Sequence, residues 1–302
     1  MTVMKKIKLP QLREFFFASV DTVRLDAFRM CLAASMLLYF ADWWKQGAEE
    51  WLTTEGFHIS KEALPYHPWY VAPLSPEFLP WFGMLLFGSL TAVMVGWQAR
   101  WTVWLALGVT VYATLVDQLS AFTLNKLAIA GFLVLALATK GHYWSIERGS
   151  PQKQSVWPIR ILQITLILQY FTAGWSKAAY GDWLGHPYVF WEQLHGFYRT
   201  DLAAWLLREI PKPGWGIVQW LGLIFELLSP ALFGFPALRV WGFMIGGIFQ
   251  ILVALTMYKL IYFSLVMFCF YVVFIPDPLL HRIRLSFRGI FSKKKFAGPT
   301  ST

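Results

Sequence analysis

"WPIRILQITLILQYFTAGWSKAAYGDWLG", residues 157 to 185, runs apolar from Trp157 to Ser176 and then places a lysine. As a helix the apolar part would be about 30 Å long, one hydrocarbon thickness. It therefore reads as a bilayer-crossing helix with Lys177 at its end. The lysine either extends its aliphatic stem to the headgroups or is held in a protein-lined pocket, where desolvation favours the neutral amine, a base. "TAG", ending at Gly174, offers small side chains that let helices approach closely. "AAYGDWLG" then turns the chain out into the interface. These residues leave both readings open.

The rest of the 302-residue chain shares that solvent. It is 57% hydrophobic and 14% charged, where a soluble domain would be roughly a quarter charged. Apolar runs of spanning length predict eight helices: Arg24–Phe40, Phe78–Trp97, Trp101–Val116, Phe122–Thr139, Trp157–Ser176, Trp215–Gly234, Leu238–Thr256 and Leu260–Ile275. The runs are too long and too uniformly apolar for barrel strands. The expected fold is an all-α polytopic membrane bundle of about eight transmembrane helices, with short interfacial helices in the outward loops. A soluble enzyme is excluded. The first span ends in "ADWWKQ" without a small-residue cleavage site, so it is expected to stay as a helix.

The net charge of +9 is concentrated at the ends, in "MKKIKLPQLR" and "HRIRLSFRGIFSKKK". Such clusters anchor against anionic lipid, and no module for nucleic acid carries them. Residues 1–23 read as a basic amphipathic N-terminus, 24–276 as the bundle and 277–302 as a basic tail. Of the 26 Lys and Arg, 17 fall on the side of both termini and 7 on the other, with Arg29 and Lys126 inside spans. That asymmetry predicts cytoplasmic termini. The two long connections, Ala41–Glu77 and Lys177–Gly214, then form an outward cap.

An ionisable group near mid-bilayer costs about 2.5–3.5 kcal/mol on insertion scales. Arg29, Lys126, Lys177 and Glu226 carry that cost, and Asp117 and Asp182 lie at outer helix ends. Gln163, Gln169, Asn125 and Gln250 add polar groups within spans. Arg29 follows Asp26 by three residues, the spacing of an ion pair on one helical face. Glu226, in "LIFELLSPALF", has no local partner and must be protonated or meet a cation from another helix, Lys126 or Lys177. Cys31 and Cys269 lack metal-type spacing. His58 and His67, like His186 and His195, stand nine apart, which is no recognised ligand pattern, and no metal is expected.

The residues also resemble a known family. "DTVRLDAFR", "PLSPEFLPWFGMLLFGSLTAVMVGWQAR", "GHYWSIER" and "YFTAGWSK" followed by Asp182-Trp183 occur in the order found in the transmembrane module of vitamin-K-dependent gamma-carboxylase. Bacteria have related proteins, the HTTM (horizontally transferred transmembrane) superfamily. The likeness runs from about Asp21 to Pro276 and implies a multi-pass protein of the bacterial inner membrane. In the carboxylase the lysine of that motif, here Lys177, is the base that deprotonates vitamin K hydroquinone. The resemblance thus implies a quinone or hydroquinone cofactor and Lys177 as catalytic base, tuned by Asp182, Glu226 and Asn125. Tyr170, Trp175, Trp183 and Gln250 become candidate cofactor-binding residues. The resemblance implies that two family histidines are replaced, one by Leu124 or Asn125 and one by Gln250. The chain also ends soon after the eighth span, so glutamate carboxylation is not expected.

Three functions follow as alternatives. The first is a quinol-dependent, carboxylase-like or redox-linked membrane enzyme. The second is a non-catalytic accessory factor resembling sporulation-delaying protein B, which docks a secreted peptide or thiol-redox protein and keeps Lys177 as an ion-pair post. The third is a transporter, which would need polar groups through both leaflets.

Overall fold

Inside lipid a backbone has no water to bond, so an apolar segment must satisfy its own amides, and a helix does so within itself. The computed structural model describes residues 9–58, 71–116, 122–138, 144–147 and 153–293. It is 76% helical, with strand confined to one short pair. In chain order come α1 (Leu9–Phe17), β1 (Ser19–Asp21), α2 (Val23–Lys45), α3 (Ala48–Leu52), α4 (Leu79–Val95), α5 (Ala99–Val116) and α6 (Thr123–Leu137). After β2 (Lys153–Ser155) follow α7 (Trp157–Ala179), α8 (Val189–Gln193), α9 (Asp201–Glu209), α10 (Lys212–Gly234), α11 (Arg239–Thr256), α12 (Leu260–Val272) and α13 (Asp277–Lys293). Lys61, His67, Asp117, Lys140, Arg148 and the start of "GHYWSIER" lie outside the described residues.

Each of the eight expected helices is present, as α2, α4, α5, α6, α7, α10, α11 and α12. Four of them, α4 with the turn before it, α5, α10 and α11, are long and apolar enough to cross a membrane. A fifth span results if α12 and α13, bent by 112° at their junction, count as one. The bend follows from "IPDP": a residue before proline is pushed out of helical geometry, and Pro276 and Pro278 sit at the break. Helices α2 and α7 have 23 residues each, but their polar residues lower their hydropathy. Helices α4, α7 and α10 carry proline in the first turn, where its missing N–H is no loss.

Helix α2 is central. Phe28, Leu32, Met36 and Phe40 are buried, and α4, α6 and α12 pack around them. A separate cluster of Trp183, Phe190, Leu194, Ala203, Trp215 and Leu223 holds α8 and α9 over the far ends of α7 and α10. The short helices α3, α8 and α9 fall in the two long connections, where a cap was expected.

Ion pairs gather at the opposite end. Arg24 bonds Asp277 at 2.6 Å, His281 meets Asp21 at 3.3 Å, and β1 pairs antiparallel with β2. The described N- and C-terminal elements therefore share one end of the bundle, here termed basal. Arg29 lies 3.6 Å from Asp26, the ion pair read from their spacing. The same guanidinium donates to the carbonyls of Val93, of Met94 (3.2 Å) and of Trp144 (2.7 Å). One buried cation thus closes the end of α4 and ties Trp144, in the connection between α6 and β2, to α2. Arg29→Leu should cost about 3 kcal/mol, as for breaking a buried ion pair. Arg29→Lys should recover little, because an ammonium cannot fork across three carbonyls. Thermal unfolding in detergent reads both; an unchanged midpoint for Arg29→Leu would contradict this assignment.

Candidate functional site

The site begins with a glycine. A Cβ added to Gly174 on α7 would lie 2.8 Å from the Cβ of Glu226 and 3.1 Å from the Leu227 nitrogen on α10. Only hydrogen at 174 lets the two backbones meet there. One turn further along α7, Lys177 Nζ donates to both carboxylate oxygens of Glu226, at 2.6 and 2.7 Å. The Glu226 side chain is 4% exposed and that of Lys177 29%, so the carboxylate is the buried partner and the lysine reaches down to it. Pro230 has no N–H for the Glu226 carbonyl four residues earlier, so helix α10 lacks one rung at the turn bearing the carboxylate. Trp183 lays its ring 4.7 Å from the ammonium, a cation–π contact that closes the distal side.

Below the pair lies a cavity of about 540 Å³. Its walls are apolar: Phe225, Phe249, Leu252 and Val253 among them. Leu221, Ile245 and Ile248 line the cavity and also face outward, at 61%, 42% and 67% exposure. The cavity therefore opens sideways through the seam between α10 and α11.

Its roof is pinned by one buried amide. Gln219 Nε2 donates to the carbonyls of Trp183 (3.1 Å) and His186 (2.8 Å), and its Oε1 accepts from the Phe190 N–H at 3.0 Å. Its deep end is a second polar group. Gln250 Nε2 donates to Tyr170 Oη at 2.8 Å, and the hydroxyls of Tyr170 and Tyr271 lie 2.7 Å apart. Gly246 makes room for this, since a Cβ there would collide with the Tyr271 hydroxyl.

The structure thus brings Lys177, Glu226, Tyr170, Trp183 and Gln250 to one cavity. Three other candidates lie elsewhere. Asp182 is exposed on the turn after α7. Asn125 is buried in the α5–α6 seam and donates to Thr114 Oγ1 at 3.3 Å. Trp175 is 55% exposed and stacks on Phe171 instead. Lys126 is exposed on α6, so the cation that meets Glu226 is Lys177. Among the described residues, no three of His, Cys, Asp and Glu gather as a metal site. Sequence reasoning missed Gln219 and Tyr271. Gln219 stands seven residues before Glu226, so two polar groups recur on one face of an apolar helix, which was a usable signal.

Gly174→Ala should part α7 from α10 and cost about 1–3 kcal/mol, the range for overpacking. Gly108→Ala, where an added Cβ meets nothing within 4 Å, should cost nothing. Unfolding midpoints in detergent compare them, and equal values would refute the close crossing.

Among known proteins, the HTTM domain family matches residues 17–277. No curated protein and no solved structure matches the chain. The family match covers the whole of the bundle that builds the cavity, and the chain belongs to the HTTM domain family.

Proposed function

We propose that this membrane protein binds an apolar, hydroxyl-bearing molecule of the quinol class from the bilayer and takes a proton from it at the Lys177–Glu226 pair. All eight long helices cross the membrane in this reading, with the basal end cytoplasmic and the site in the outer half. The supporting observation is the pair itself, two charges 2.6 Å apart at the polar end of an apolar, sideways-opening cavity. On the distal side the ring of Trp183 covers the ammonium. In a low-dielectric cavity the amine and carboxylate share one transferable proton. With that proton on Glu226, the Lys177 lone pair is free to accept the phenolic proton, leaving an ammonium beside the anion it has made. Glu226 therefore governs whether Lys177 acts as a base, a role the resemblance gave to Asp182 and Asn125 as well.

Binding of a naphthohydroquinone to the purified protein in nanodiscs tests this. Lys177→Met and Glu226→Gln should each weaken binding at least about tenfold, the loss expected for one charge-assisted hydrogen bond, at unchanged expression. Wild-type affinity in Lys177→Met would reject the proposal. The accessory reading also has an observation in its favour: Lys177 is already ion-paired, and Tyr180 and Phe197 on the cap are 85% and 92% exposed. In that case capture of a secreted peptide would survive Lys177→Met and fail on Phe197→Ala.

A further inference from the structure

The distal end of the cavity is charged; its deep end is neutral but also polar. Gln250 is fully buried at 0% exposure, and it lines the cavity. Its Nε2 is used by Tyr170, and its main-chain oxygen accepts from Ser264 Oγ at 2.9 Å. Its side-chain Oε1 has no protein donor. A buried amide oxygen is almost always paired, so an unpaired one beside a cavity points to a donor supplied from within it. Tyr170, which holds Gln250, stands seven residues before Lys177 on α7, a rise of about 10 Å. Between the two ends the walls are aromatic and aliphatic.

We infer that the cavity is a two-pole site whose preferred ligand is an elongated apolar molecule with a hydroxyl or N–H at its far end, donated to Gln250 Oε1. This rests on the reading above only for the near pole, where the other hydroxyl meets Lys177 and Glu226. The rise of about 10 Å between Tyr170 and Lys177 along α7 favours a second donor on another ring or along a chain. A carbonyl at the far end would set acceptor against acceptor, so Gln250 is a specificity-determining residue.

Equilibrium binding to the full-length protein in nanodiscs tests the inference with matched probes. Biphenyl with a para hydroxyl on each ring is compared with biphenyl carrying one, and naphthalene with a hydroxyl at each end with naphthalene carrying one. In at least one pair the second hydroxyl should tighten binding about tenfold, the size of one net hydrogen bond to a buried group. Gln250→Leu should erase that gain, bringing each two-hydroxyl probe to the affinity of its single-hydroxyl partner in the same variant. No gain in either pair, or a gain that survives Gln250→Leu, overturns the inference. Should Gln250→Leu fail to fold, a biphenyl with one hydroxyl and a far-end ketone decides on the wild type. It should bind no tighter than the single-hydroxyl probe, and tighter binding overturns the inference. The near pole is read separately: loss of single-hydroxyl binding in Lys177→Met supports it whatever the second hydroxyl does.

Discussion

A carboxylate in the interior of an apolar bundle must find a cation or give up its charge, and this constraint organises the distal half of the protein. Glu226 finds Lys177 only because Gly174 allows α7 and α10 to touch. Once they touch, the ammonium is fixed under Trp183, whose own position depends on Gln219, about two turns before Glu226 on α10. Packing, capping and chemistry thus share one crossing. Breaking such a pair by removing one partner is costlier than the pair is favourable, since the remaining charge is stranded. The pair is consequently weak evidence about stability and stronger evidence about a site.

The two ends of the bundle solve the buried-charge problem differently. At the basal end Arg29 is consumed by three carbonyls and Asp26, a closed arrangement in which the cation serves only the fold. At the distal end Lys177 has one partner, a ring over it and a cavity below. Both are intramembrane cations by sequence, and the second borders space that another molecule can occupy.

That contrast explains what was legible in the sequence. Helix positions were, because apolar runs of spanning length admit no other backbone: the expected Trp157–Ser176 is observed as Trp157–Ala179 and Leu238–Thr256 as Arg239–Thr256. The early end of α12 was not, since it depends on how the chain turns at Pro276. Within the site, the clearest signal was periodic. Gln163, Tyr170 and Lys177 stand seven apart on α7, as do Gln219 and Glu226 on α10, so each set falls on nearly one face. Asp182, Asn125 and Trp175 were neighbours of the motif in sequence or by family resemblance. Their side chains leave it in space, because residues on opposite helical faces and in turns do not follow the polar stripe. Tyr271 could not be read at all: it joins Tyr170 from a distant helix, through space opened by Gly246.

The site depends on the coupling between Lys177 and Glu226. A double-mutant cycle with Lys177→Met, Glu226→Met and the pair, followed by unfolding in detergent, measures it directly. Coupling of about 2 kcal/mol or more, with the double variant more stable than Glu226 left alone, is the predicted result. Strictly additive losses would mean that the two groups do not meet, and the site described here would not exist.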